Sequence, residues 1–125
     1  MAKIARFEDL EAWQLARQLT AKVYKATLTG KFAKDYGLRV QIQRATVSIV
    51  SNIAEGFDRK SSKQFLQFLD IASGSASEVK AQLYVALDLE YLTNEQFQDM
   101  FTDAVRVGQM LTKLMQYLRT VKDNV

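Results

Sequence analysis

Glu55 and Glu78 are the two carboxylates in this sequence that stand among other patterned polar groups. Arg44, Ser48, Ser51 and Asn52 precede the first, and Ser75 and Gln82 flank the second. The pairs 44/48, 48/52 and 51/55 are four residues apart, which makes them neighbours on one helix face. Two carboxylates brought together can divide the roles of general acid and general base, because each disfavours ionisation of the other. The composition leaves little chemistry besides this. There is no His, so the commonest general base and metal ligand is missing. Ser–His catalysis and Glu-x-x-His di-iron sites are thereby excluded. There is no Cys, which removes a thiolate nucleophile, a disulfide framework and a Cys-type zinc site. A Mg²⁺ site made of carboxylates would need an acidic cluster, and none stands out. The expectation is a protein that is not an enzyme, with no cofactor, no metal and no small-molecule substrate.

Ser48, Ser51 and Asn52 are a curious choice for a solvated helix face, where Lys, Glu and Gln serve better. Short polar side chains suit a place where something packs close by. The sharper expectation is a half-buried network joining Asn52, Glu55, Ser75 and Glu78. Arg44, or an Arg of a neighbouring chain, would offset the two carboxylates. The plainer reading is a polar face opposite the core.

The elements that position these groups are helical. The apolar residues recur with the helical period from end to end, and there is no Pro. The spacing predicts four helices, over 8–28, 37–57, 62–91 and 94–120. Gly30 suits a left-handed cap ending the first. Ser61 with Gln64 fits a capping box opening the third, and Thr93 with Gln96 another opening the fourth. Leu92 and Phe97 supply a hydrophobic staple there. Short connections make successive helices antiparallel. The fold class predicted is all-α, an up-and-down four-helix bundle forming one domain over 1–125. A chain of 125 residues with 48% hydrophobic and 25% charged residues can build such a core. No run of about 18 apolar residues suggests a membrane span, and Met1–Leu10 lacks an apolar signal core. A cytoplasmic location is expected.

The core stripe of the first helix is Ala12, Leu15, Ala16, Leu19, Val23 and Ala26. The second contributes Ile42, Ala45, Ile49, Val50, Ile53 and Phe57. The third contributes Phe65, Leu69, Ala72, Ala76, Val79, Leu83 and Ala86. The fourth contributes Phe97, Phe101, Ala104, Gly108, Leu111, Met115 and Leu118. Trp13 and Tyr24 form a stripe beside the first seam, and Met110, Leu114 and Tyr117 flank the last. These five are either the edge of the core or contacts to a second copy of the chain. The small residues around Gly74 in "IASGSASE", 71–78, suggest a close helix approach, since Gly costs a helix up to about 1 kcal/mol relative to Ala. Gly56 lies near the end of the second helix.

The net charge of +3 is uneven: 1–63 holds 12 Lys or Arg against 6 Asp or Glu, and 64–125 holds 5 against 8. Arg17, Lys22, Lys25, Lys31, Lys34, Arg39, Arg44, Arg59, Lys60 and Lys63 make the first half a candidate phosphate-binding surface. No recognised RNA motif accompanies them, and aromatic residues are not interleaved with them. The same surface can pair with the acidic half of a neighbouring subunit.

"RATVSIVSNIAEGFDRKSSKQFLQFLDIASGSASE", 44–78, resembles the signature of a bacterial four-helix-bundle family. Its founding members are encoded in intervening sequences of large-subunit ribosomal RNA genes and were once labelled ribosomal proteins. "FEDLEAWQLA", 7–16, is similar to the family's N-terminal motif. Ser48, Asn52, Ile53, Ala54, Glu55 and Gly56 match the central motif; Gly74, Ser75 and Glu78 match the second. Where family members often carry Pro, this chain has Val50. The resemblance implies an up-and-down bundle assembling into a ring-like homopentamer, and it does not imply an enzyme. It points to RNA or a ribonucleoprotein as partner, or to docking of a partner enzyme such as a reverse transcriptase without direct nucleic-acid contact.

Overall fold

The fold is all-helical, as the periodicity predicts, and the computed structural model describes residues 4–121. A short 3₁₀ turn, Phe7–Asp9, leads into α1, Glu11–Thr27. Then follow the short α2, Gly30–Lys34, and the long α3, Tyr36–Phe57, α4, Ser62–Asp88, and α5, Asn94–Thr120. The four long helices pack in the cyclic order α1–α3–α4–α5, closed by α5 against α1.

The start of α5 coincides with its sequence signal. Thr93 Oγ1 accepts from the Gln96 amide, and the Gln96 side chain accepts from the Thr93 amide, both at the free end of the helix. Leu92 and Phe97 are buried on either side of that cap. Ser61 caps α4 by accepting from the Gln64 amide at 3.1 Å. Asp35 caps α3 by accepting from the Leu38 amide. α3 runs unbroken through Val50.

Three boundaries differ from expectation. The first predicted helix starts later, because Phe7–Asp9 is a separate turn, and Gly30 opens α2 with φ +61° instead of directly capping α1. Phe32 makes α2 necessary. It is 1% exposed, with its ring 5.2 Å from Tyr91, so the link folds back to seal that end of the bundle. α4 ends at Asp88, short of 91, because Glu90 turns left-handed at φ +60°. The Tyr91 amide then reaches the Ala86 carbonyl and the Glu90 amide the Leu87 carbonyl. This is a Schellman stop built on a non-glycine residue, which the sequence does not advertise.

The buried layer is aliphatic: Leu19, Ile42, Ile49, Ile53, Leu69, Val79, Leu83, Val107 and Leu111 are essentially inaccessible. Gly56 lies where α3 crosses the start of α4. A Cβ there would lie 2.6 Å from Phe68 Cβ and 3.0 Å from the Phe65 ring, so the helices meet at that distance only because the side chain is absent. Gly74 is the opposite case. Nothing lies within 4 Å of the Cβ it lacks, so no close approach within this chain uses it.

Candidate functional site

α3 and α4 bring part of the predicted polar network together. Ser48 Oγ and Ser75 Oγ are 2.9 Å apart across the seam. Asn52 Nδ2 donates to the Ser48 carbonyl at 2.8 Å and to Ser48 Oγ at 3.1 Å. Short hydroxyls are therefore required here, because a longer side chain would hold the two helices apart. Ser75 is buried, while Ser48 and Asn52 are half-buried, so the cluster joins the helices at the edge of the core.

The carboxylates do not join it. Glu55 is exposed and pairs with Arg59 at 2.8 Å, one turn along α3 and beyond its end. Glu78 is exposed and accepts from Gln82 Nε2 at 3.4 Å. Arg44 is exposed on the outer side of α3 and offsets neither carboxylate. The reason is rotational: each Glu lies on an exposed side of its helix, and a charge prefers water to a half-buried seam. No acid–base pair forms. Among the described residues no three His, Cys, Asp or Glu converge as a metal-binding group.

The candidate contact residues divide. Trp13 packs against the core edge with Phe7 edge-on at 5.1 Å and Arg17 over its ring at 5.6 Å. Met110 and Leu114 also pack against the core, and Tyr24 is half-buried. Tyr117 alone of the five is exposed, at 52%. The larger exposed apolar set lies on α4, where sequence reasoning did not place it. Ile71, Val85 and Leu89 are 53%, 45% and 48% exposed. Positions 71, 74, 78, 81 and 85 alternate steps of three and four, the spacing of a helix-pairing seam. Ile71, Gly74, Glu78, Ala81 and Val85 occupy it. That second stripe was legible as a pattern but was masked by the stronger core stripe of the same helix.

The basic residues are less available than their number suggests. Lys22 bridges α1 to α5, with Nζ 2.8 Å from both Asp99 and Asp103. The hydrogen bonds to Asp103 and then Asp99 push its ammonium pKa up from the usual 10.5. Arg59 is engaged by Glu55 and lies 4.8 Å over the Phe68 ring. Arg39 is half-buried and stacks on Tyr36 at 5.3 Å. Lys25, Lys31 and Lys34 are exposed near one end of the bundle, whereas Lys60 and Lys63 lie near the other. α3 spans 22 residues between those ends, or about 33 Å at 1.5 Å per residue. The predicted surface thus has exposed lysines at both ends, with Arg17 and Arg44 exposed along the helices between them. Beside the first, Tyr91 Oη donates to Asp35 at 2.9 Å, and this bond raises its phenol pKa above 10.0.

The architecture is a helical bundle whose α3–α4 seam is joined by hydroxyl and amide groups. The chain belongs to the 23S rRNA-intervening sequence protein family, whose model matches residues 8–113. In fold it is similar to a crystal structure from Bacteroides thetaiotaomicron, a protein of unknown function from the S23 ribosomal protein family. That match has a TM-score of 0.77 at 24% identity and covers 84% of this chain and 98% of the other. No curated protein matches. The family and this neighbour carry no assigned catalytic activity. Among the described residues no helix is long and apolar enough to cross a membrane.

Proposed function

We propose that this chain is a non-catalytic scaffold that assembles with copies of itself into a ring, five being the number that the family resemblance implies. The observation that carries the reading is the outward stripe of α4. Ile71 and Val85 offer apolar bulk at its ends, while Gly74 and Ala81 keep the middle low enough for another helix to approach. Glu78 on the stripe calls for a cation from the neighbouring copy, and the exposed Arg44 has the required charge.

The chain lacks Cys, so Ala81→Cys creates a unique thiol on the stripe. Its maleimide labelling should slow several-fold as protein concentration rises. A rate independent of concentration, matching that of a Cys placed at Gln109 off the stripe, contradicts the reading. The alternative, a docking platform for a partner enzyme, predicts that same unprotected thiol in the isolated protein. RNA binding through the N-terminal half draws support from Lys25, Lys31 and Lys34 at one end of the bundle, Lys60 and Lys63 at the other, and Arg44 on α3 between them.

A further inference from the structure

The seam between α4 and α5 opens into a groove of about 680 Å³, walled by Ser73, Ser77, Lys80, Gln109, Thr112 and Lys113. Its floor includes Ala76 and Gly108, and nothing lies within 4 Å of the Cβ that Gly108 lacks. Both residues are small, so neither side chain fills the groove. No carboxylate lines it. Lys80 and Lys113 form no ion pair among the described residues. One turn along α4 from Lys80 stands Tyr84, 52% exposed. Its ring is fixed against α5, 5.2 Å from Phe97 and 5.1 Å from Phe101. Asp70 and Asp88 bound the stretch on the α4 side, three residues before Ser73 and four after Tyr84. The cationic stretch is therefore short.

We propose that this groove binds a short single strand of nucleic acid, with Lys80 and Lys113 on its phosphates and a base stacked on Tyr84. Unpaired ammonium groups in a trough, hydroxyl and amide side chains along its walls, and a half-exposed aromatic ring one helix turn beyond Lys80 are what a single strand requires. A duplex hides its base faces, and a bare polyanion has no use for the ring. The site lies in the acidic half of the chain, away from the N-terminal cations. It uses the 73/77/80/84 side of α4 and leaves the outward stripe free, so it stands apart from self-association.

The test is fluorescence anisotropy of the full chain with a labelled ten-nucleotide oligouridine, across a range of salt, with a duplex and heparin as comparison ligands. Oligouridine should bind better than the duplex. The log affinity should fall against log salt with a slope of about −1.4, from roughly 0.7 for each of two neutralised phosphates. Lys80→Gln with Lys113→Gln should remove most of that slope. Tyr84→Leu, which keeps apolar packing on Phe101, should weaken binding about 5- to 150-fold, as loss of one stacked base does. Tyr84→Phe should retain it, and Lys31→Gln with Lys34→Gln should change nothing. Far-UV circular dichroism confirms that each variant is folded. Absence of oligouridine binding overturns the proposal. So does indifference to Tyr84→Leu with heparin competing equally, which marks a plain polyanion surface. Loss on changing Lys31 and Lys34 instead places the strand elsewhere and overturns it too.

Discussion

α4 makes two seams, and they are built in opposite ways. Against α3 it is closed: Gly56 lets the helices touch, and Ser48, Asn52 and Ser75 join them by short hydrogen bonds. Against α5 its outer edge is open: beyond the buried Val79, Leu83, Val107 and Leu111, Ala76 and Gly108 line a groove, and the Tyr84, Phe97 and Phe101 rings pack together toward one end. Both seams use glycine, for contrary reasons. One glycine removes a clash, and the other leaves a space. A glycine in a helix therefore says that a side chain is unwanted, and only the packing says why.

The largest effect should come from filling the closed seam. Gly56→Ala forces a Cβ against Phe68 Cβ, an atom too near its backbone to swing away. An approach of 2.6 Å puts the overpacking at the upper end of its usual range, about 3 kcal/mol, against a gain of up to about 1 kcal/mol in helix propensity. A net loss of about 2 kcal/mol should appear in urea denaturation. If Gly56→Ala is neutral, the two seams are not different in kind.

A clamp outside both seams gives the next effect. Lys22→Met leaves Asp103, 9% exposed at its side chain, without its cation. A loss of about 1–2 kcal/mol should follow, the range for a buried polar group that loses its partner, discounted because Lys22 is partly solvated. The pH dependence has a definite sign. Lys22 and Tyr91 both have folded-state pKa values raised above the ordinary 10.5 and 10.0. Their stabilisation is present in full below those values and is lost as pH rises through the raised ones. Thermal melts should therefore fall more steeply above pH 10 in the wild type than in Lys22→Met. Equal slopes would remove Lys22 from the account.

Uncapping α5 with Thr93→Ala should cost about 1 kcal/mol, measured by the same denaturation, and leaves both seams as they are.

The smallest effects invert the sign of the first. Gly108→Ala and Gly74→Ala meet no neighbour within 4 Å and should stabilise the isolated bundle by about 0.5–1 kcal/mol through propensity. Gly74→Ala sharpens the comparison further. On a subunit contact the added methyl should weaken assembly while raising the stability of the monomer. A Gly74→Ala protein that gains in both takes α4's outward stripe out of the contact.

The fold was largely legible in the sequence, because a bundle is written in apolar periodicity and caps. Asn94–Thr120 follows from Thr93, Gln96 and the Leu92–Phe97 staple. The Glu90 stop was not legible, since a left-handed residue that is not Gly is set by the packing of Phe32 on Tyr91 and not by a local signal. The site was legible in part. Ser48, Asn52 and Ser75 meet as their small size suggested. Glu55 and Glu78 do not, because periodicity gives a side chain's face but not whether it reaches across a seam or turns to water. Charge counting misled for Lys22 and Arg59, whose partners are about one helix turn away or on another helix.

Size-exclusion chromatography with light scattering addresses self-association through α4 most directly, applied to the wild type and to Val85→Glu. The account predicts a wild-type mass several times the subunit's 14.2 kDa, near five-fold, that collapses to one subunit in Val85→Glu. A wild-type mass of one subunit at micromolar concentration, or a multimer that Val85→Glu leaves intact, contradicts it.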